Sequence, residues 1–285
     1  MRARAVVLVA ILLAACGGKK APPPSGELWE DANQAYGDEA FEIAVDGYKK
    51  LLDQYPFDPN AEEAQLKIAS SYYLSGRYPE AIAAFGDFER IHPTSPNLPY
   101  VEYHLGMSYL AQATTSDRDQ GAATNALTVF RNLVDRFPGN PWAERATLRV
   151  RECREYIAKH DTEIALYYLR HGNLKAAESR LRGVLENYPD TDATAQALYH
   201  FGQAYEVRDE REGAMLAFAS LARLHPDGTL GAEARAKVGT DSPFLQSDNP
   251  VPLLIARIDR MSTEADRQNA PSPVSAYPNA PSGSY

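Results

Sequence analysis

Cysteine, histidine and the carboxylates are the side chains through which this chain could do chemistry, and their spacing narrows what that chemistry is. Cys16 closes the run Leu13-Ala14-Ala15-Cys16, a bulky aliphatic and two small residues before a thiol. This fits the bacterial lipobox, in which the chain is cut before the cysteine and the cysteine is acylated on its thiol and amine, as with palmitate. The alternative is an ordinary export signal whose cysteine is incidental. Upstream, Arg2 and Arg4 make a basic start and Ala5–Ala15 is an uncharged apolar run. It is too short to cross a bilayer core, which needs about 20 apolar residues. Several acyl chains, at about 0.8 kcal/mol per buried CH₂, make a firm lipid anchor of Cys16. Gly17, where an aspartate would favour inner-membrane retention, directs the expectation to the outer membrane.

The remaining chemistry is sparse. The six histidines are scattered, and His92, His171 and His225 fall beside predicted helix ends, a common structural place for histidine. The carboxylates lie mainly on exposed faces and no pair stands out. Asp117 and Asp119 hint at calcium, but the other ligands of an EF-hand loop and its terminal glutamate are missing. There is no phosphate-binding glycine loop, HExxH, CxxC or GxSxG. No catalytic residue, cofactor or metal is therefore expected. With Cys16 acylated, Cys153 has no partner for an internal disulfide and reads as a buried, inert thiol. The formal charge is −9, and it becomes −11 once Arg2 and Arg4 are removed with the signal. That acidity argues against nucleic acid and against a polybasic hold on anionic lipid.

What would position binding residues is a repeat. Five segments align on an alanine with a proline twelve residues later: Ala44/Pro56, Ala81/Pro93, Ala126/Pro138, Ala177/Pro189 and Ala214/Pro226. Four residues after each alanine stands a large side chain: Tyr48, Phe85, Phe130, Leu181 and Phe218. Upstream a small residue recurs as Ala32, Ala69, Gly106, Ala165 and Gly202. The segment Ala69–Pro93, ASSYYLSGRYPEAIAAFGDFERIHP, resembles the tetratricopeptide repeat, a helix–turn–helix of 34 residues. Small residues let the two helices of a pair approach, aromatics fill the space between them, and the proline stops the second helix. The fold expected is all-α, a tetratricopeptide-repeat superhelix of five helix pairs.

Successive prolines lie 37, 45, 51 and 37 residues apart. The excess in the second interval lies in AQATTSDRDQGAAT (111–124), a polar run with Gly121 inside it that reads as a longer turn in repeat three. The third interval has neither Gly nor Pro from Trp142 to His171, so one long continuous helix of about 30 residues joins repeats three and four. The expected organisation is a signal peptide at 1–15 and a flexible tether at 16–27. A front half of three repeats follows at 28–138, then the long helix and repeats four and five at 139–240. A short amphipathic helix (about Pro252 to Gln268) and a disordered Pro/Ser-rich tail occupy 241–285.

The first helices of such repeats line a concave surface that takes a peptide or a helix. Counted from the small residue, the groove-facing positions include Trp29, Asn33 and Tyr36 in repeat one. In repeat two they include Lys67, Ser70 and Tyr73, and in repeat three His104. An aromatic groove with a few donors suits peptides that carry aromatic side chains; the same aromatics serve equally as core. A second patch, Arg145 and Arg149 one turn apart on the long helix, either docks an acidic partner or is a solvated face paired with Glu152 and Glu155.

From Leu28 to Leu230 the pattern resembles the BamD family, lipoproteins of the machinery that assembles β-barrels in the outer membrane. The resemblance rests on the lipobox, the five repeats and the insertion SDRDQGAATNALTVFRNLVDRFPGNPWAERA. It rests also on the long helix ending EIALYYLRHGNLKAA and on VLENYPDTDATAQAL. It implies a lipid-anchored scaffold on the outer membrane, facing the periplasm and without enzymatic activity. The front repeats would receive unfolded outer-membrane β-barrel proteins, with Trp29, Asn33, Tyr36, Lys67 and Tyr73 as candidates. The back half would dock a BamA-like barrel-forming subunit, with Asp190, Thr191 and Asp192 as candidates, and other assembly lipoproteins would join. Two readings compete. A pilotin-like lipoprotein that assembles a secretin, pilus or cell-wall complex would show more regular 34-residue spacing. An enzyme docked through repeats would need a catalytic constellation that is not there.

Overall fold

The computed structural model of the chain describes residues 22–114, 120–239, 242–246 and 250–269. The expected signal peptide, Cys16, the tether up to residue 21, Asp117 and Asp119, and the tail from residue 270 lie outside the described residues. Among the described residues the structure is all helical, with thirteen helices. The chain divides into two compact units, Met1–Ala146 and Thr147–Tyr285.

The first unit holds three helix pairs: α1 (Ser25–Gly37) with α2 (Phe41–Gln54), α3 (Ala61–Leu74) with α4 (Tyr78–Ile91), and α5 (Leu98–Thr114) with α6 (Gln120–Arg136). Each helix packs on the next in chain order. The aligned alanines Ala44, Ala81 and Ala126 are fully buried, as are Tyr48, Phe85 and Phe130 one turn on. The prolines Pro56, Pro93 and Pro138 each fall two residues beyond the end of a second helix, where a ring without an N–H ends the ladder. The small residue opposite is required by distance. A Cβ on Gly106 would lie 2.6 Å from the Phe130 ring, and one on Gly47 would lie 2.9 Å from the Ala32 Cβ.

Of the stretch 111–124, expected as a longer turn in repeat three, residues 115–119 lie outside the described residues and both flanks are helical. Ala111–Thr114 continue α5, and Gln120–Thr124 begin α6, with Gly121 inside the helix. The other second helices begin three residues before the aligned alanine, as Phe41 does before Ala44, whereas Gln120 stands six before Ala126. The reason is burial: Leu110, Ala113, Ala123 and Leu127 put an apolar stripe on the added turns, and this stripe is covered. In repeats one, two, four and five the turn between helices carries one left-handed residue, at Glu39 (φ 58°), Gly76 (75°), Gly172 (77°) and Asp209 (59°). Each stands five residues before its alanine; repeat three has Gly121 at that position, already helical.

Helix α7 runs unbroken from Pro141 to Arg170, 30 residues, with a proline only at its first position and no Gly after it to break the ladder. The second unit contains the greater part of α7 with α8 (Leu174–Asn187), then α9 (Asp192–Val207) with α10 (Arg211–Leu224). Three further helices follow: α11 (Thr229–Val238), the single turn α12 (Pro243–Gln246), and α13 (Pro250–Asn269). Ala165, Ala177, Leu181, Phe201, Tyr205, Ala214 and Phe218 share one core cluster. Gly202 repeats the arrangement at Gly106: a Cβ there would lie 2.5 Å from the Phe218 ring. These are tetratricopeptide helix pairs.

Candidate functional site

In the first unit the first helices of successive pairs open a cleft of ≈ 630 Å³. Tyr36 enters it from α1, Lys67 and Ser70 from α3, Tyr100 from α5, and Trp142 from the start of α7. The carboxylates Glu62 and Glu63 stand beside them. The Lys67 ammonium lies 4.2 Å from the centre of the Tyr36 ring, a cation–π contact that fixes both side chains. The buried Ser70 hydroxyl donates to the Leu66 carbonyl at 2.9 Å and sits 3.0 Å from the Tyr100 hydroxyl, which is left to act as donor to it. Burial pushes the Tyr36 phenol above its usual pKa; nearby Tyr100 adds to this and the Ser70 hydrogen bond opposes it. Tyr36 is therefore protonated at neutral pH.

Behind the cleft lies a cage of rings. His104 is 4.0 Å from Tyr100, 5.2 Å from Trp142 and 5.3 Å from Tyr73, centre to centre. Its Nδ1 lies 2.9 Å from the Tyr100 carbonyl, to which it donates. Burial pulls the imidazole pKa down and the Arg145 charge adds to that, against the carbonyl hydrogen bond, so the ring is neutral at pH 7. Arg145 covers the Trp142 ring at 4.7 Å. The cleft thus has aromatic walls, one cation, two carboxylates and three hydroxyls, of which those of Ser70 and Tyr100 have their protons engaged within the fold. It can hold an extended segment with an aromatic side chain, and it pairs no nucleophile with a base.

Of the positions expected to face the groove, Tyr36, Lys67 and Ser70 meet in this cleft. Tyr73 and His104 form its aromatic backing. Trp29 instead packs on Tyr48 at 5.6 Å, and Asn33 accepts a 2.8 Å hydrogen bond from the Tyr48 hydroxyl. Tyr100 and Trp142 were not among the expected positions. Tyr100 occupies the place in its helix that Glu63 has in repeat two, six residues before the small residue, so the register could have indicated it. Trp142, directly after the proline that begins α7, enters the sequence reading only as the start of the run without Gly or Pro.

The second unit carries a separate cleft of ≈ 530 Å³ where Arg151, Arg154 and Glu155 of α7 face Asp190, Thr191 and Asp192. The Glu155 carboxylate accepts the backbone N–H groups of Asp192 and Ala193 at 2.8 and 2.9 Å, which caps α9 from a neighbouring helix. Thr191 is the N-cap of α9; its hydroxyl accepts from the Thr194 N–H. Asp190 pairs with Arg154, whose guanidinium lies 5.4 Å over the Tyr188 ring. Partial burial would raise the Asp190 pKa, but the hydrogen bond and charge of Arg154 outweigh it and hold the carboxyl below its usual range. Arg145 and Arg149 do not join this cleft: Arg145 lies on Trp142, and Arg149 pairs with Glu152 at 2.6 Å. Cys153 is a free, fully buried thiol, pushed up to about 12 by burial, and is inert. Among the described residues no group of His, Cys, Asp and Glu could hold a metal, and no helix is long and apolar enough to cross a membrane.

By class, the described residues form an array of tetratricopeptide helix pairs with an aromatic cleft on its first helices. More particularly, the chain belongs to the YfiO family of outer membrane lipoproteins, whose pattern matches residues 22–221. It is similar to proteins described as outer membrane protein assembly factor BamD. The one from Xylella fastidiosa (strain Temecula1) is 32% identical over 168 residues, 55% of this chain, and the match spans only 57% of that protein's length. The one from Caulobacter vibrioides is 28% identical over 226 residues, 75% of this chain and 74% of that one. The one from Neisseria meningitidis serogroup B is 29% identical over 194 residues, 65% of this chain and 73% of that one. A solved structure, the TPR2AB-domain:pHSP90-complex of yeast Sti1, matches 86% of this chain and 95% of that chain at 13% identity and a TM-score of 0.40.

Proposed function

We propose that this protein is a non-enzymatic scaffold of outer-membrane β-barrel assembly, held on the periplasmic side of the outer membrane by lipid on Cys16. The front cleft takes extended, aromatic-bearing segments of unfolded barrel proteins. The arginine- and aspartate-lined cleft of the second unit docks the barrel-forming, BamA-like subunit, and other assembly lipoproteins complete the complex. The observation that carries this reading is the open aromatic cleft of Tyr36, Lys67, Ser70, Tyr100 and Trp142 in a member of this lipoprotein family. Aromatic walls offer large contact area at low entropic cost and are sequence-tolerant, which suits many different clients.

The reading is tested by placing a photocrosslinking amino acid at Tyr36 and, separately, at Asp190 in living cells. Tyr36 is expected to capture newly exported barrel proteins and Asp190 the barrel-forming subunit. Capture of a secretin or of murein enzymes at both positions would overturn it. Cys16→Ser is expected to release the protein from the membrane fraction; unchanged membrane association would refute the anchor.

A further inference from the structure

Repeats four and five each depart from the pattern of their siblings, at places that come together in space. The residue just before the aligned alanine is Ile43, Glu80, Asn125 and Ala176 in repeats one to four, but Gly213 in repeat five. The residue just after it is Val45, Ile82, Leu127 and Met215 in the other repeats, but Glu178 in repeat four. A glycine inside a helix costs about 1 kcal/mol relative to alanine, and a buried carboxylate costs more unless it is paired. Both oddities have the same explanation. Arg257, on α13, lies with 6% of its surface exposed between Glu178 and Glu210.

The guanidinium is read on every side. One amino group is 3.3 Å from the Glu178 carboxylate and the other hydrogen-bonds to Glu210. Its carbon stands 4.6 Å over the Tyr205 ring, and the Tyr205 hydroxyl donates to Glu178 at 2.5 Å. A Cβ on Gly213 would come within 2.8 Å of the guanidinium carbon, so the missing side chain makes the space. Two carboxylates, a flat ring and a glycine floor suit a planar fork better than the point charge of a lysine. Around this point α13 lays Val251, Leu254 and Ile258 into the core cluster, against α8 and α10. Arg182–Asp259 (3.0 Å) and Arg260–Glu212 (3.8 Å) flank it on the exposed side. A buried ion pair adds little net stability, because desolvation offsets its attraction, and in some proteins such a pair fixes the register of a helix instead.

We propose that the face of α8 and α10 is a helix-docking seat with a guanidinium socket, which α13 fills in cis and for which an arginine-bearing amphipathic helix of a partner competes. The partner helix carries aliphatic residues six and three before its arginine and one after it, the pattern of Val251, Leu254, Arg257 and Ile258. Charge complementarity supports such an occupant: without Arg257 the seat presents two carboxylates, one of them buried. Binding a partner here requires α13 to leave, so the two occupancies exclude one another.

The test uses the full-length chain and a fluorescent peptide of Pro250–Asn269. The Arg257→Ala chain is expected to bind the peptide at least about 10-fold more tightly than the wild-type chain, whose own α13 competes. A peptide with lysine at position 257 is expected to bind the Arg257→Ala chain at least about 10-fold more weakly than the arginine peptide. Equal binding to both chains, or equal binding of both peptides, overturns the proposal. If Arg257→Ala does not fold, Arg257→Lys, which keeps a positive charge in the socket, serves as the host chain. The wild type is expected to sediment as a monomer; a dimer formed by exchange of α13 would place a second copy in the seat and overturn the partner reading.

Discussion

The two units share one repeat register and treat their surfaces in opposite ways. In the first, the side of α2 and α4 bears an open slot of ≈ 390 Å³ over Ile68, Tyr72 and Phe88, and the first-helix side bears the larger aromatic cleft. In the second, the corresponding second helices α8 and α10 are covered by α13. Rings dominate the front cleft, from Tyr36 to Trp142, whereas the back core is built on alanines such as Ala197, Ala217 and Ala222 around a few large residues. The back unit also buries a network of charge, Glu178–Arg257–Glu210, that the front has no counterpart for at the same positions. The repeat therefore fixes the scaffold alone. What each unit can bind is decided by which helix faces the chain itself leaves open.

The largest effects test whether the scaffold really is shared. Phe130 and Phe218 are both fully buried, each against the small residue of its own pair, Gly106 or Gly202. Phe130→Ala and Phe218→Ala are each expected to lose about 3–5 kcal/mol, read by urea unfolding. A loss below about 1 kcal/mol at either site would mean that the two units are not packed on the same principle.

Next comes the buried arginine of the back unit, Arg257. Glu178→Ala leaves Arg257 inside without its closest carboxylate after Glu210, and is expected to cost about 3 kcal/mol. Adding Arg257→Met to that variant removes the stranded charge and is expected to restore at least about half of the loss. If the double variant is no better than the single one, the cost is one of packing and the buried charge does not set the back unit apart from the front.

How much of this was legible in the sequence differs by element for physical reasons. The register of the five pairs could be read because each position recurs under the same steric demand, as at Gly106 and Gly202. The long helix could be read because nothing between Trp142 and His171 breaks one. The helical flanks of the insertion in repeat three could not be read because Thr, Ser, Asp and Gly favour turns locally, while the stripe from Leu110 to Leu127 that overrides them is only one turn wide on each helix. Tyr100 and Trp142 were missed because an aromatic on a first helix suits the core as well as a cleft, and only tertiary packing decides. The socket was invisible for a stronger reason: Glu178 and Arg257 lie 79 residues apart, and neither is informative without the other.

The front unit has its own buried carboxylate, and it differs in being sensitive to pH. Glu102 is 2% exposed; burial pushes it up to about 7, against the attraction of Arg136 from α6 and with repulsion from Glu89 of α4. Its folded pKa is above the ordinary glutamate value, so the folded state holds the proton more tightly than the unfolded chain does. That contribution is present below the ordinary glutamate range and is lost as pH rises towards about 7. Wild type is expected to lose about 2 kcal/mol from this group between pH 5 and pH 8. Glu102→Gln should flatten that part of the profile, measured by urea midpoints across the range. An unchanged slope would locate the sensitivity elsewhere.

The smallest effect on stability is the sharpest test of the front cleft as binding equipment. Lys67 is half-buried and its ammonium rests on the Tyr36 ring rather than on a carboxylate in the fold. Lys67→Met keeps much of the stem that covers the ring and removes the charge, so stability should change by no more than about 0.5 kcal/mol. If the cleft binds extended segments through that cation and its aromatic walls, affinity for a peptide carrying aromatic and acidic residues should fall about 5- to 10-fold. Its dependence on salt should weaken as well, since a screened charge has been removed. Loss of stability with unchanged affinity would make Lys67 a structural residue, and the front unit would then differ from the back only in lacking a helix to cover it.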